Sequence, residues 1–180
     1  FEVKLAFHEK TERFYMWFPV IVKDKQVGYF RALMKPIDGL PSYFNKPGEW
    51  VKRKGLFPFD QAILMMKRMK LKTVFLVEGQ RDALRLLRLG IPAVSILGTQ
   101  NWTNMKLTLL ETVGVERIVL MMDGDKAGRK ATIKLAPQIR KMIDLKVARL
   151  WKVARKMKLK KIDPGDAPKK VLLKYKEWLI

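Results

Sequence analysis

From Thr73 onward the chain repeats one unit: a short run of β-branched and apolar residues, a tight turn, then a longer stretch with helical spacing. "TVFLV" reads as a short buried strand, "GQRDALRLLRLG" as a helix ended by Gly90, and "IPAVSIL" as a second strand. "NWTNMKLTLLETVG" supplies another helix, capped by Thr103 or Asn101. "VERIVLMM" follows as a third strand and "DKAGRKATIKLAPQIRKMI" as a third helix. "KVARLWKV" closes the series as a fourth strand, and "PKKVLLKYKEWL" reads as a last helix. Strands alternating with helices at this spacing predict an α/β fold in three layers around a parallel sheet. Such sheets carry their chemistry beyond the carboxyl ends of the strands.

Acidic residues stand at those ends. Glu78 directly follows "TVFLV", and Asp123 and Asp125 directly follow "IVLMM". Gly79 permits a tight strand-to-helix turn, and Asp82, one helical turn on, points to the same side. Gly124 lets the backbone approach a ligand closely. Three or four carboxylates converging there repel one another unless a divalent cation neutralises them. Taken singly, each has a blander reading: a strand-ending acid is a common helix cap, and "DGD" a common turn. Their joint placement on two strands of one unit favours a metal site.

Composition narrows the metal and the partner. With no Cys and a single His, a thiolate or imidazole cage is excluded, and oxygen ligation points to magnesium, manganese or calcium. Thirty-eight Lys and Arg against 17 Asp and Glu leave a net charge of +21, spread along the whole length. A field of that sign attracts polyanions, so nucleic acid is the expected partner; a solvated Lys-rich surface is the plain alternative. No apolar run approaches the ~20 residues of a membrane span, and "FEVKLAF" lacks the parts of a signal peptide, so a cytoplasmic protein is expected. The chain begins at Phe1 without Met, as a piece of something longer would.

Ahead of the repeating units, residues 12–35 hold two aromatic and β-branched runs separated by "KDKQ", the pattern of a hairpin. "PIDGLPSYFNKPGEWVKRKGLF" is rich in Pro and Gly and is expected to be mostly loop. "FDQAILMMKRMK", residues 59–70, has helical spacing with Asp60 near its start. The expected organisation is therefore a basic mixed α/β region over 1–70 and a catalytic α/β region over 71–180. The ten Met are expected to fill the core, as are the aromatics of the Phe14 to Phe18 run. Trp50, in a loop beside Glu49 and Lys52, is the candidate for stacking on nucleic-acid bases, ahead of Phe57 and Trp102.

"VEGQRDALRLLRLG" followed some forty residues later by "MMDGDKAGRKA" resembles the Toprim domain. That Rossmann-like domain is shared by primases, topoisomerases, OLD-type nucleases and RecR-like repair proteins. The likeness is close over residues 73 to about 150. It implies that Glu78, Asp123 and Asp125 coordinate magnesium, with Asp82 in support and Glu78 also a general acid/base. Among Toprim enzymes the flanks look most like the catalytic core of bacterial DnaG-type and phage T7-like primases. "YFNKPGEWVKRKGLFPFDQA" is similar in order to the stretch preceding the Toprim fold there, with Lys52, Arg53 and Lys54 as a basic trio. "LGT" matches through Gly98 and Thr99, and "KKIDPGD" resembles a late acidic motif, which adds Asp163 and, after it, Asp166.

The resemblance implies a nucleotidyltransferase making RNA primers on single-stranded DNA from ribonucleoside triphosphates. Two Mg2+ or Mn2+ ions about 3.5–4 Å apart would activate the 3′ oxygen and neutralise the leaving pyrophosphate. Lys52, Arg53, Lys54, Gly98, Thr99 and Lys130 would face phosphates, although Lys130 and Arg129 read slightly better as solvating their helix. Departures are clear. There is no Cys for the zinc-binding module through which such primases read template, so a separate module is implied, and no GxxxxGK[ST] loop for a fused helicase. The extra helical region of a DnaG-type core is missing, which suggests a compact core of phage or mobile-element type with a helicase partner elsewhere. The alternatives are a metal-dependent Toprim nuclease, a topoisomerase or repair enzyme, or a nucleic-acid-binding module with a vestigial site.

Overall fold

In the computed structural model, which describes residues 3–8, 13–35, 37, 40 and 42–180, the strands form two four-stranded sheets. The first is antiparallel, in the order β1 (Lys4–His8), β2 (Arg13–Val22), β3 (Lys25–Leu33), β4 (Tyr43–Asn45). The expected hairpin is β2–β3, with a turn of two residues: Lys23 and Asp24 have φ of 54° and 60°, and Lys25 already pairs with Val22. Asp60 ties the turn down by accepting the Lys23 and Asp24 amides at 2.8 and 2.9 Å. Two of the first sheet's strands were not foreseen. β1 lies in "FEVKLAF", and β4 lies in the segment expected to be loop, as does the short helix α1 (Trp50–Arg53). Pro36, Asp38, Gly39 and Pro41 of that segment are outside the described residues.

Helix α2 (Phe59–Arg68) then leads into the second sheet, which is parallel, in the order β6 (Ala93–Ser95), β5 (Thr73–Val77), β7 (Arg117–Leu120), β8 (Asp144–Val147). The connecting helices are α3 (Gln80–Arg88), α4 (Asn104–Glu111) and α5 (Lys126–Arg140), followed by α6 (Leu150–Lys156) and α7 (Lys169–Lys176). One prediction needs correction: "KVARLWKV" is not a single strand, because β8 ends at Val147 and Leu150 opens α6. Its apolar residues fit both periods, and the helical one wins by burying Leu150 and Ala154 on one face.

Period-two alternation divides the parallel sheet between two layers. Val74, Leu76, Ile118 and Leu120 face a core shared with α2, α4, α5 and the first sheet. Phe75, Val77, Val119 and Met121 face α3, α6 and α7. The first of these cores runs without a break from Val20 and Phe30 through Phe57 and Phe59 to Leu76, so residues on both sides of the expected 70/71 boundary are packed together. Methionines behave less uniformly than expected: Met66, Met121 and Met122 are buried, while Met34, Met69, Met105, Met142 and Met157 are exposed. No helix among the described residues is long and apolar enough to cross a membrane.

Candidate active site

The chain enters the parallel sheet at β5, moves to one side for β6, and returns to the other side for β7. The crevice where the order reverses lies between β5 and β7, beyond their carboxyl ends. Leu76 and Leu120 are paired across these strands, so Glu78 and Asp123 emerge side by side. Asp125 follows as the cap of α5, its Oδ1 accepting the Gly128 amide at 2.8 Å. A Cβ on Gly128 would collide with the Asp123 carbonyl, so this turn closes only on glycine.

The carboxylates load one another. Burial is the largest influence on Glu78 and raises its pKa, with Asp123 and Asp125 adding to the rise and Lys161 and the Thr99 amide offsetting it. Asp123 is raised by burial first, then by Asp163 and Asp125, against a hydrogen bond from Lys161. Lys161 Nζ stands 2.9 Å from Asp123 Oδ2 and 3.9 Å from Asp125 Oδ2, and its own pKa is raised, chiefly by the bond to Asp123. Among the described residues, no three acidic or histidine side chains are arranged, as they lie, to hold a metal ion. The Lys161 ammonium is the cation that sits between Asp123 and Asp125 in this arrangement. The donor set is all oxygen and carries mutually repelling charge, which fits a hard divalent ion in place of that ammonium.

Asp82, expected as a supporting acid, lies against backbone beside Asp123 and Asp163. It is buried, and both its oxygens are used by backbone: Oδ2 accepts the Gly79 amide at 3.0 Å and Oδ1 the Gly165 amide at 2.8 Å. Burial, then Asp123 and Asp163, push its pKa up to about 7. Its work is to join the start of α3 to the "DPGD" loop. Asp163 turns that loop by accepting the Asp166 amide at 2.8 Å, and Asp166 pairs on the surface with Arg81.

The phosphate and template candidates separate into two groups. Lys52, Arg53 and Lys54 are exposed, at a helix end docked beside the 97–103 loop through a 2.6 Å bond from Thr103 Oγ1 to the Lys52 carbonyl. Lys130 is exposed on α5. Gly98 and Thr99 instead turn inward: the Gly98 amide binds the Glu78 carbonyl at 3.2 Å and the Thr99 amide binds the Glu78 carboxylate. That loop positions the glutamate and does not hold its amides open for phosphate. Trp50 is also committed to the fold. Its ring lies so close on Gly28 that a Cβ there would overlap it, and its Nε1 donates to the Lys46 carbonyl at 3.1 Å. Phe57 is core, and Trp102 Nε1 donates to Gln138.

Several contributors were missed. Asn45 donates to the Leu97 carbonyl at 3.2 Å and accepts from Gln80, fastening β4 of the first sheet to the site. Tyr43, from the same strand, lies near Arg81 and Asp82, its phenol pushed up by burial. Ser95 Oγ donates to the Glu78 carbonyl at 2.8 Å and accepts the Leu97 amide. Lys161 lies within "KKIDPGD", a stretch read only for its acids. For Asn45 the clue was a polar residue following two aromatics in "YFN".

A parallel sheet with its acids at the β5 and β7 ends is the arrangement expected of a Toprim-type domain, and residues 75–158 match the family described as Toprim-like, so this part of the chain is similar to such a domain. The relatives narrow it further: the chain is similar to the catalytic core of bacterial DNA primases. It is 35% identical over 97 residues to the DNA primase of Thermotoga maritima and 37% identical over 98 residues to that of Rickettsia felis. These matches take in 52% and 54% of this chain but only 16% of each relative. The crystal structure of the Aquifex aeolicus primase, comprising zinc binding and RNA polymerase domains, superposes with a TM-score of 0.71 at 25% identity. That overlap covers 92% of this chain and 39% of that one, so it includes the antiparallel sheet. The DnaG primase catalytic domain bound to ssDNA shares the fold, with a TM-score of 0.58 at 22% identity, over 84% of this chain and 53% of that one.

Proposed function

We propose that this chain is the catalytic core of a DNA primase, a nucleotidyltransferase that assembles RNA primers on single-stranded DNA. The observation that carries the reading is the cluster of Glu78, Asp123 and Asp125, mutually repelling and countered by one lysine, at the switch point of a Toprim-like sheet. When bound there, magnesium or manganese, expected as a pair, would increase the nucleophilicity of the primer 3′ oxygen and neutralise the departing pyrophosphate. Asp123, Asp125 and Asp163 are the oxygen donors on the triphosphate side. Glu78 is the donor on the primer side and, with its raised pKa, the group suited to accept the 3′ hydroxyl proton. Lys52, Arg53 and Lys54 would face the incoming phosphates, and Lys161, now paired with Asp123, would cede that carboxylate to a bound cation.

The reading implies further partners: a zinc-binding module that selects template and a replicative helicase. It also places the protein with replicating DNA, in the cytoplasm of a bacterium or phage-infected host.

The test is incorporation of labelled ribonucleotides on single-stranded DNA with magnesium or manganese, beside Glu78→Ala and Asp123→Ala. The expected result is short oligoribonucleotides from the parent and a loss of at least about a hundredfold in either variant, the scale of a removed transition-state charge contact. Metal-dependent cutting of the DNA without any need for triphosphates would replace the primase reading with the nuclease one.

A further inference from the structure

A groove of about 450 Å³ lies between α5 and the segment around α6, with Val147 at the end of β8, the edge strand of the parallel sheet, in its lining. Five cations line it, Arg129 and Arg140 from α5 and Arg149, Lys152 and Arg155 from the segment around α6, with no acidic residue among the lining. All five are exposed, and none is ion-paired among the described residues. Held together they repel one another, and a polyanion entering the groove relieves that repulsion and releases its own counterions. Apolar surface lies between them: Trp151 is half-buried, and Ile133 is 65% exposed despite its size. Cations flanking an indole suit a strand that offers phosphates and stacked bases together.

The groove also has a direction. Asp125 caps α5, and Arg129 stands one turn further along the same helix. At the start of α6, Leu150 packs against Gly124 so tightly that a Cβ on that glycine would meet its backbone at 2.9 Å. The groove therefore opens at the turn bearing the carboxylates and leads away from it. From Arg129 to Arg140 the helix rises about 16 Å at 1.5 Å per residue. One strand of a duplex offers a phosphate about every 3.4 Å of axis, so that length takes in about five nucleotides.

We infer that the α5–α6 groove grips the sugar–phosphate backbone of a nucleic-acid strand as it passes beyond the carboxylate site. The strand's identity as template or primer–template hybrid rests on the primase reading; the binding itself does not. Arg149 and Arg155 are the central contacts, and neither belongs to the carboxylate machinery.

Fluorescence anisotropy of labelled single-stranded DNA and of an RNA–DNA hybrid, over a salt series, tests this in the whole chain without triphosphates. Arg149→Gln/Arg155→Gln is compared with Lys67→Gln/Arg68→Gln, which removes the same charge from exposed positions on α2. The groove variant is expected to lower the slope of log affinity against log salt by about 1.4 for the single strand or about 1.8 for the hybrid, two phosphate contacts' worth, and the control by much less. The ligand whose drop reaches its own two-contact value, and not merely the larger drop, identifies the strand. Equal losses from both variants would reduce the groove to bulk charge, and no loss from the groove variant would overturn the inference and leave a protein partner for this face. Loss of primer synthesis in the parent with the slope effect intact would sink the primase reading alone.

Discussion

Individual residues of the site were legible to different depths. Glu78, Asp123 and Asp125 could be found because their position after apolar runs follows from the strand period alone. What each carboxylate touches could not be found, because the partners are main-chain amides such as Gly165, 83 residues from Asp82. Both plain expectations for these acids also came true in part: Asp125 is a helix cap and Asp82 satisfies the first turn of α3, so the same carboxylates serve local structure and site. Lys106 escaped notice because its residue type argues for the surface. It is fully buried on α4, its Nζ donating at 2.8 Å to the Ile96 carbonyl next to the loop that positions Glu78. Burial lowers its pKa from 10.5 to about 7. Between those values the unfolded chain holds the proton more fully than the folded one, so stability rises with pH across that window and is lost as pH falls through about 7. Lys106→Met removes this slope. In urea unfolding at pH 7 and pH 9.5, the parent should gain on the variant by more than about 1 kcal/mol, since one differing proton is worth about 1.4 kcal/mol per pH unit. Parallel behaviour of the two proteins would mean that the lysine is charged in the fold.

At the scale of elements, legibility followed the strength of the period. "TVFLV" coincides with β5 because a five-residue apolar run between polar neighbours has no good helical alternative. β4 was hidden because three residues between Pro- and Gly-rich flanks carry no alternation; it exists through pairing with β3, a long-range contact that propensity does not encode. "ARLWKV" was misassigned for the opposite reason, having a period that suits two structures. The β2–β3 turn is an element where local preference and tertiary demand disagree. Both residues sit at positive φ, yet neither is Gly or Asn, and the Asp60 carboxylate holds them there. Asp24→Gly keeps its amide for Asp60 while relieving the backbone and removing a second carboxylate from the turn. The variant should be more stable by about 0.5–1 kcal/mol in urea unfolding. A lower midpoint would show that the aspartate side chain contributes more than its backbone costs.

Across the whole molecule, the antiparallel and parallel sheets share one core, and Phe57 joins them by main-chain bonds with Ser95 in both directions, at 3.1 and 2.7 Å. The two regions are therefore expected to unfold together. Trp17 and Trp50 report on one and Trp102, Trp151 and Trp178 on the other, so circular dichroism and tryptophan fluorescence should trace a single coincident transition. Two separated transitions would support the expected division near residue 70. The net charge was readable from composition, but its concentration in a groove on the β8 edge was not, because α5 and α6 meet only in the folded chain. The ties around the carboxylates have a different consequence. Gly98 and Thr99 reach Glu78, Gly124 reaches the Ile162 carbonyl at 2.6 Å, Gly128 reaches Asp125 and Gly165 reaches Asp82, each through a backbone amide. Every residue except proline carries that amide. Four of the five donors are nonetheless glycines, and at Gly124, Gly128 and Gly165 an added Cβ would meet backbone or the bound carboxylate within 3 Å, so the bareness of these positions is as much a part of the fastening as the amide.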